Sequence, residues 1–308
     1  MISSEILNLF NTLPEKIIVT IHKDPDFDAV GSLLAMNALL LGLNRKPTLY
    51  SPDIQMNQFK ALPGIENIQK DISTTFDLAI FLDCSDKSRI YNVENFPIVK
   101  TILNIDHHQD NSLFGDVNLV KRISSVGELL FELFDALKAE ISDETAINLY
   151  AAICFDTGNF KFANTTASTF KAAAKLLTKN INPAQISEFI FEQKPKNYFE
   201  DIRIGLENMY LDDQYPFMIV HIPNHPNISH ESTVNFFRQL ENIELVIICK
   251  EVKHSEYRIS FRSKHQVDVA KLAKNFNGGG HIRAAGATVS QSFTELKENL
   301  ISCAKKEF

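Results

Sequence analysis

The chain has 308 residues, with 44% hydrophobic and 22% charged side chains, a balance that suits a globular chain of two domains and excludes disordered and collagen-like classes. A formal net charge of -7 argues against a non-specific grip on long nucleic acid through many phosphates. No apolar run reaches the roughly 18 residues of a spanning helix, and Met1-Ile2-Ser3-Ser4-Glu5 lacks the basic opening of a signal peptide, so the chain reads as cytoplasmic.

The first half alternates short apolar runs with helical patterns, the signature of βαβ units. Strands are expected at 16–21, 78–82 and 101–105, and helices at 32–43, 126–137, 143–154 and 168–177. Residues 184–208 stay helical but turn more polar, as a connector between domains would. Strand patterns at 217–222, 245–252 and 258–262 then alternate with helical ones near 231–240, 267–276 and 293–304. The fold class is therefore α/β: an N-terminal Rossmann-like parallel sheet over 1–184, a helical connector over 185–208 and a smaller mixed α/β domain over 209–308. Residues 250–283 hold eight Lys or Arg against three Asp or Glu, a local balance suited to a short anionic ligand. Cys84, Cys154, Cys249 and Cys303 form no Cys-x-x-Cys pair and suggest neither a zinc ribbon nor a disulfide framework.

The chemistry collects at strand ends. The first strand runs into His22-Lys23-Asp24-Pro25-Asp26-Phe27-Asp28, the second into Asp83-Cys84-Ser85-Asp86 and the third into Asp106-His107-His108. Asp156 follows an apolar helix, in Asp156-Thr157-Gly158. Ligands of open α/β sheets bind outside the carboxyl ends of the strands. So many acids in one cleft repel one another unless cations neutralise them. Carboxylate and imidazole without thiolate suits Mn²⁺ or Mg²⁺ better than structural zinc, and the number of ligands suggests two ions.

These residues resemble a known family. His22-x-x-Pro25-Asp26-x-Asp28-Ala29-x-Gly31-Ser32, Asp83, Asp106-His107-His108 and Asp156-Thr157-Gly158 are similar to the four motifs of DHH phosphoesterases. Gly278-Gly279-Gly280-His281-x-x-Ala284-Ala285-Gly286 resembles the glycine-rich motif of the DHHA1 domain. Within the family, the two-domain length resembles bacterial nanoRNases, oligoribonucleases that also act as phosphatases on adenosine 3',5'-bisphosphate.

The resemblance implies His22, Asp26 and Asp83 on one metal and Asp28, Asp83, His107 and Asp156 on the other, with Asp83 as the bridge. Asp106 would orient an imidazole and His108 would face the scissile phosphate; Asp83, His108 and Asp106 are thus the catalytic set. Substrate contacts are expected from His108, Arg262, the backbone of Gly278, Gly279 and Gly280, and His281, with Arg89 a weaker candidate. The expected cofactors are two divalent cations, Mn²⁺ first and Mg²⁺ or Co²⁺ next.

The expected activity is metal-dependent hydrolysis of oligoribonucleotides of about two to five nucleotides to mononucleotides, with dephosphorylation of adenosine 3',5'-bisphosphate beside it. Phosphodiesterase action on linear or cyclic dinucleotides such as pApA or pGpG is the alternative enzyme reading. A metal-dependent nucleotide sensor is the alternative outside enzymes, and a homodimer is an expected assembly. A type II inorganic pyrophosphatase would lack the DHHA1-like ending, and a RecJ-type exonuclease would need a further OB-like domain.

Overall fold

A computed structural model of the chain describes residues 2–72, 75–90, 94, 96–223 and 232–308, with the side chains of Ser232 and His281 outside the description. It divides into two units, Met1–Gln193 and Lys194–Phe308.

The first unit opens with α1 (Ser4–Asn11) and β1 (Ile17–Ile21), whose five residues are all buried, as a strand covered on both faces requires. Next comes α2 (Phe27–Gly42), five residues longer at its start than the apolar pattern predicts. The difference lies in Asp26, whose carboxylate accepts from the amides of Asp28 and Ala29 and so caps the helix within a segment that reads as loop. β2 (Thr48–Tyr50), β3 (Ile68–Gln69), β4 (Phe76–Leu82), β5 (Val99–Asp106) and β6 (Val117–Val120) complete a fully parallel sheet in the order β3-β2-β1-β4-β5-β6. The order reverses at β1 and β4, the position where open parallel sheets leave a crevice for ligands.

Four helices follow in this unit: α3 (Val126–Leu137), α4 (Asp143–Asp156), α5 (Ala167–Leu176) and α6 (Pro183–Phe191). A Cβ on Gly31 would stand 2.5 Å from the Asn148 carbonyl oxygen, so this motif glycine lets α2 lie directly against α4.

The second unit begins with α7 (Lys196–Glu207), β7 (Met209–Leu211), β8 (Phe217–Ile222) and α8 (Ser232–Phe237). The helix expected near 231–240 falls on α8, with Glu231 outside the described residues. The rest is β9 (Leu245–Lys253), β10 (Glu256–Ser263), α9 (Val269–Lys274), β11 (Gly279–His281), β12 (Ala284–Ser290) and α10 (Phe293–Lys305). Its mixed sheet runs β11-β12-β10-β9-β8-β7, with β8 and β9 parallel and the other neighbours antiparallel. One apolar cluster, with Phe261 and Leu296, covers one sheet face, and another, with Val220 and Phe237, covers the opposite face. Among the described residues, no helix is long and apolar enough to cross a membrane.

Candidate metal centre

Three strand ends and one helix end bring the acids and imidazoles of the first unit together. β1 runs straight into His22, Asp106 is the last residue of β5, and Asp156 is the last residue of α4. Asp83 follows β4 with φ at +58°, a left-handed conformation that non-glycine residues adopt at a cost and that is enriched at functional sites.

Asp83 is the hub. Its Oδ2 lies 3.3 Å from His22 Nε2, while Oδ1 lies 3.5 Å from both His107 Nε2 and His108 Nδ1. The residue is only 3% exposed, and Oδ1 is buried without a well-formed hydrogen bond. The donor atoms of His22, Asp26 and Asp83 fall within 4.8 Å of one another, as do those of Asp28, His107 and Asp156, and those of Asp83, His107 and His108. In the second of these groups, His107 Nε2 stands 3.1 Å from Asp156 Oδ2 and 3.9 Å from Asp28 Oδ2.

The chemistry of this donor set fits divalent cations. His22 Nδ1 donates to the Lys23 carbonyl at 2.8 Å and His107 Nδ1 to the Ile123 carbonyl at 3.3 Å. A carbonyl only accepts, so Nε2 is the nitrogen that each ring turns on the carboxylates, the arrangement that orients imidazole ligands on metals. A buried carboxylate oxygen that stands 3.5 Å from His107 Nε2 and from His108 Nδ1 without a well-formed hydrogen bond is costly in the protein alone and is the natural place for a cation. The one thiol beside the hub, Cys84, is pushed well above its usual range by burial and stays protonated.

Electrostatics follow from the crowding. Burial works to lower the His22 pKa, but the hydrogen bond and charge of Asp83 outweigh it and hold the ring at about 9. Burial, with the charge of Asp83 added, raises the Asp28 carboxyl to about 8. Asp156 is likewise raised by burial and by Asp28. Asp83 goes the other way: burial opposes ionisation, yet the hydrogen bonds of His107 and His22 and the charge of His108 hold it well below the usual carboxylate range.

One consequence is measurable. At neutral pH the cation-free centre keeps protons on His22 and Asp28 that ligation must expel. Both folded-state values, about 9 and about 8, lie above the ordinary 6.5 and 3.8. The stability these protons confer is therefore complete below the unfolded values and is lost as pH rises, for Asp28 between 3.8 and about 8 and for His22 between 6.5 and about 9. The melting temperature of cation-free protein is expected to fall from neutral pH to pH 9 and to recover when Mn²⁺ is added. Calorimetric titration at neutral pH in two buffers of different ionisation enthalpy is expected to show proton release on binding; identical heats in both buffers would refute the scheme.

Other sequence candidates lie around this centre. Asp28 is fully buried, and its oxygens accept from the amides of Val126 at 2.7 Å and Gly127 at 2.9 Å and from Ser32 Oγ at 3.2 Å. Arg89 sits in a short turn, Lys87–Arg89, whose last carbonyl accepts from the Lys23 amide, and its charge reaches His22. Asp24, in the same loop as the ligands, joins none of the three groups; its amide donates to Asp53. Asn111 is a residue the motifs did not single out. Its Nδ2 stands 2.5 Å from Asp106 Oδ2 and 2.9 Å from Asn104 Oδ1, so it ties the acid behind His108 to the sheet. The only sequence signal was an amide three residues beyond a doublet of histidines.

The second unit holds the remaining candidates. Substrate contacts are expected from the backbone of Gly278, Gly279 and Gly280; β11, an edge strand, takes in the last two, with Gly279 opposite Gly286 and Gly280 opposite Ala285. Close strand approach explains the composition: Gly280 has φ +141°, and a Cβ there would stand 2.6 Å from the Ala284 carbonyl oxygen. Gly279 differs, since a Cβ there would meet nothing within 4 Å. Arg262 is on β10, opposite Ala284, which in turn lies opposite His281, and its Nη1 donates to the Phe261 carbonyl at 3.0 Å. The His281 side chain is outside the described residues.

Comparison with known proteins decides the family. Residues 16–153 match the DHH family, N-terminal domain, and residues 217–308 match the DHHA1 domain. The chain belongs to the DHH/DHHA1 phosphoesterases. Members similar to it include the bifunctional oligoribonuclease and PAP phosphatase NrnA of Thermus thermophilus, 28% identical over 297 residues, covering 94% of this chain and 90% of the relative. The protein of the same name from Bacillus subtilis is 26% identical and covers 90% of each chain. Among solved structures, an exopolyphosphatase-related protein from Bacteroides fragilis superposes with a TM-score of 0.89 at 23% identity, covering 98% of this chain and 95% of the other. The parallel first sheet and mixed second sheet of this DHH/DHHA1 chain are thus a shared architecture. Every residue of the three donor groups except Asp156 lies within the segment that matches the DHH family.

Proposed function

We propose that this chain hydrolyses phosphoester bonds in short oligoribonucleotides, of about two to five nucleotides, to release mononucleotides, and that it also dephosphorylates adenosine 3',5'-bisphosphate. The observation that carries the reading is the convergence of His22, Asp26, Asp28, Asp83, His107 and Asp156 into compact donor groups linked by the contact of His107 with the buried Asp83 carboxylate. Membership of the DHH/DHHA1 family and the names of the relatives from T. thermophilus and B. subtilis support the substrate class.

In this reading, His22, Asp26 and Asp83 hold one divalent cation and Asp28, Asp83, His107 and Asp156 hold a second, with Mn²⁺ the preferred ion. When bound, such ions neutralise phosphoryl oxygens and make water nucleophilic at neutral pH. The protein's own part is to fix the acids, keep the imidazole nitrogens turned inward and present His108 to the phosphate. Asp106, 2.7 Å from His108 Nδ1, holds that ring in one orientation. Arg262, the His281 side chain and the amides of Gly278, Gly279 and Gly280 are the phosphate-binding groups of the second unit, and an open position at Gly279 supports close approach by a ligand. We assign catalysis to residues 1–184, the connector to 185–208 and substrate binding to 209–308, in a cytoplasmic homodimer.

The test is product analysis of cation-stripped protein resupplied with Mn²⁺. Substrates are an end-labelled RNA dinucleotide, a pentanucleotide, a long single strand, linear and cyclic dinucleotides, and adenosine 3',5'-bisphosphate. The expected result is rapid Mn²⁺-dependent loss of the two short RNAs and of the bisphosphate with the long strand spared. Turnover confined to linear or cyclic dinucleotides would replace this reading by the phosphodiesterase one. Tight binding without turnover would replace it by a sensor.

A further inference from the structure

One segment connects to all three members of the Asp28, His107 and Asp156 group, to two of them directly and to Asp156 through Asn164. Residues 123–127 lead from β6 into α3, and each contact they make is with the backbone of the segment. The Ile123 carbonyl accepts from His107 Nδ1 at 3.3 Å, and the Val126 and Gly127 amides donate to the two oxygens of Asp28. The third connection runs through Asn164, whose Nδ2 donates at 3.0 Å both to the Ser124 carbonyl and to the carbonyl of Asp156. No equivalent contact with His22 or Asp26 is present among the described bonds of this segment.

Beneath the segment lies a charge that the proposed reaction does not use. Glu128 is fully buried on α3, and its Oε2 accepts from Ser124 Oγ and, at 2.9 Å, from Thr169 Oγ1 near the start of α5. Its other oxygen, Oε1, is buried with no hydrogen-bond partner. A fully buried carboxylate is expensive, and two hydroxyl donors offset only part of that cost. Ser125 caps α3 by accepting from the Glu128 amide at 3.0 Å, so side chain and backbone of Glu128 grip the same turn from both sides.

We infer that Glu128 is a positioning residue for the Asp28, His107 and Asp156 cation site, acting through the backbone of residues 123–127 and leaving untouched His22 and Asp26, the residues that only the other site uses. The inference rests on reading those residues as cation ligands. Groups that orient ligands without touching the metal commonly contribute about ten- to a hundredfold in affinity. Two successive Mn²⁺ binding steps are therefore expected to respond unequally to loss of the carboxylate.

The experiment is calorimetric Mn²⁺ titration, with no substrate present, of the full chain and its variants. Wild type is expected to bind two ions, and Asp156→Asn marks which step belongs to the Asp28, His107 and Asp156 group. Glu128→Met keeps volume but removes both acceptors; it is expected to weaken that step by roughly ten- to a hundredfold and leave the other unchanged. Glu128→Gln, which can still accept from Ser124 and Thr169, is expected to restore most of the loss. Should Glu128→Met fail to fold, Thr169→Val removes one of the two donors to Glu128, together with the capping contact that Thr169 Oγ1 accepts from the Thr166 amide, and is expected to shift the same step by a smaller factor. Equal weakening of both steps, or none in any folded variant, overturns the inference while the ligand reading stands. A wild-type chain that binds no second ion overturns both.

Discussion

Asp83→Asn is expected to abolish hydrolysis, with kcat falling by at least about a thousandfold, while the fold survives. The magnitude follows from the several kcal/mol that cations contribute to phosphoryl transfer, each ~1.4 kcal/mol being a factor of ten in rate. The substitution is isosteric, and asparagine tolerates the left-handed backbone that Asp83 adopts at φ +58°. What it removes is the single negative charge shared by His22, His107 and His108, whose nitrogens stand 3.3, 3.5 and 3.5 Å from the carboxylate. Two neighbouring acids are already committed: Asp106 faces His108 and Asn111, and Asp28 is held by the α3 amides. Rates with saturating Mn²⁺, beside circular dichroism of the same sample, make the measurement. A variant that keeps more than a tenth of wild-type kcat would remove Asp83 from the centre of the mechanism.

Much of the first unit was legible because its chemistry and its sheet share one signal. β1, residues 78–82 of β4 and residues 103–106 of β5 are buried on both faces and read largely as apolar runs, so the acid or imidazole at the end of each marks a strand end. The peripheral strands β2, β3 and β6 have three, two and four residues, too few for a period to emerge, and they exist only by pairing with their neighbours. Asp26 shows how one residue can hide a boundary. Next to a proline it reads as a loop acid, yet one of its oxygens caps α2, which moves the helix start back into the motif. The glycine run carries two uses for a related reason: glycine lets a phosphate approach the backbone, here it also lets two strands approach, and local sequence does not separate these uses. Asn111 and Glu128 escaped because their roles depend on partners brought in by other elements. Nothing near Glu128 in the chain announces that Thr169, on another helix, will donate to it.

His108 separates two uses of an imidazole that geometry alone leaves side by side. With Asp83 and His107 it forms one of the three compact donor groups, so it could ligate a cation; with Asp106 it forms a 2.7 Å pair through Nδ1, and in the proposed reading Nε2 is then the nitrogen that meets the phosphate. Burial works to lower its pKa, but the hydrogen bond that its Nδ1 donates to Asp106 and the charges of Asp83 and Asp106 raise it, so the ring is biased to carry a proton at neutral pH. A proton held beside a leaving oxygen or a phosphoryl oxygen is what general-acid or electrostatic assistance requires, and such assistance contributes about a hundred- to ten-thousandfold. His108→Ala is therefore expected to lower kcat by about that range while calorimetry still counts two Mn²⁺ ions. Asp106→Asn keeps the ring but gives up the charge that orients it, and is expected to reproduce part of the kcat loss with KM little changed. Had His108 been a ligand, His108→Ala would lose an ion, and excess Mn²⁺ would restore the rate. Loss of kcat with both ions retained, followed by partial loss in Asp106→Asn, assigns the ring to the substrate and the acid behind it to holding the ring in place.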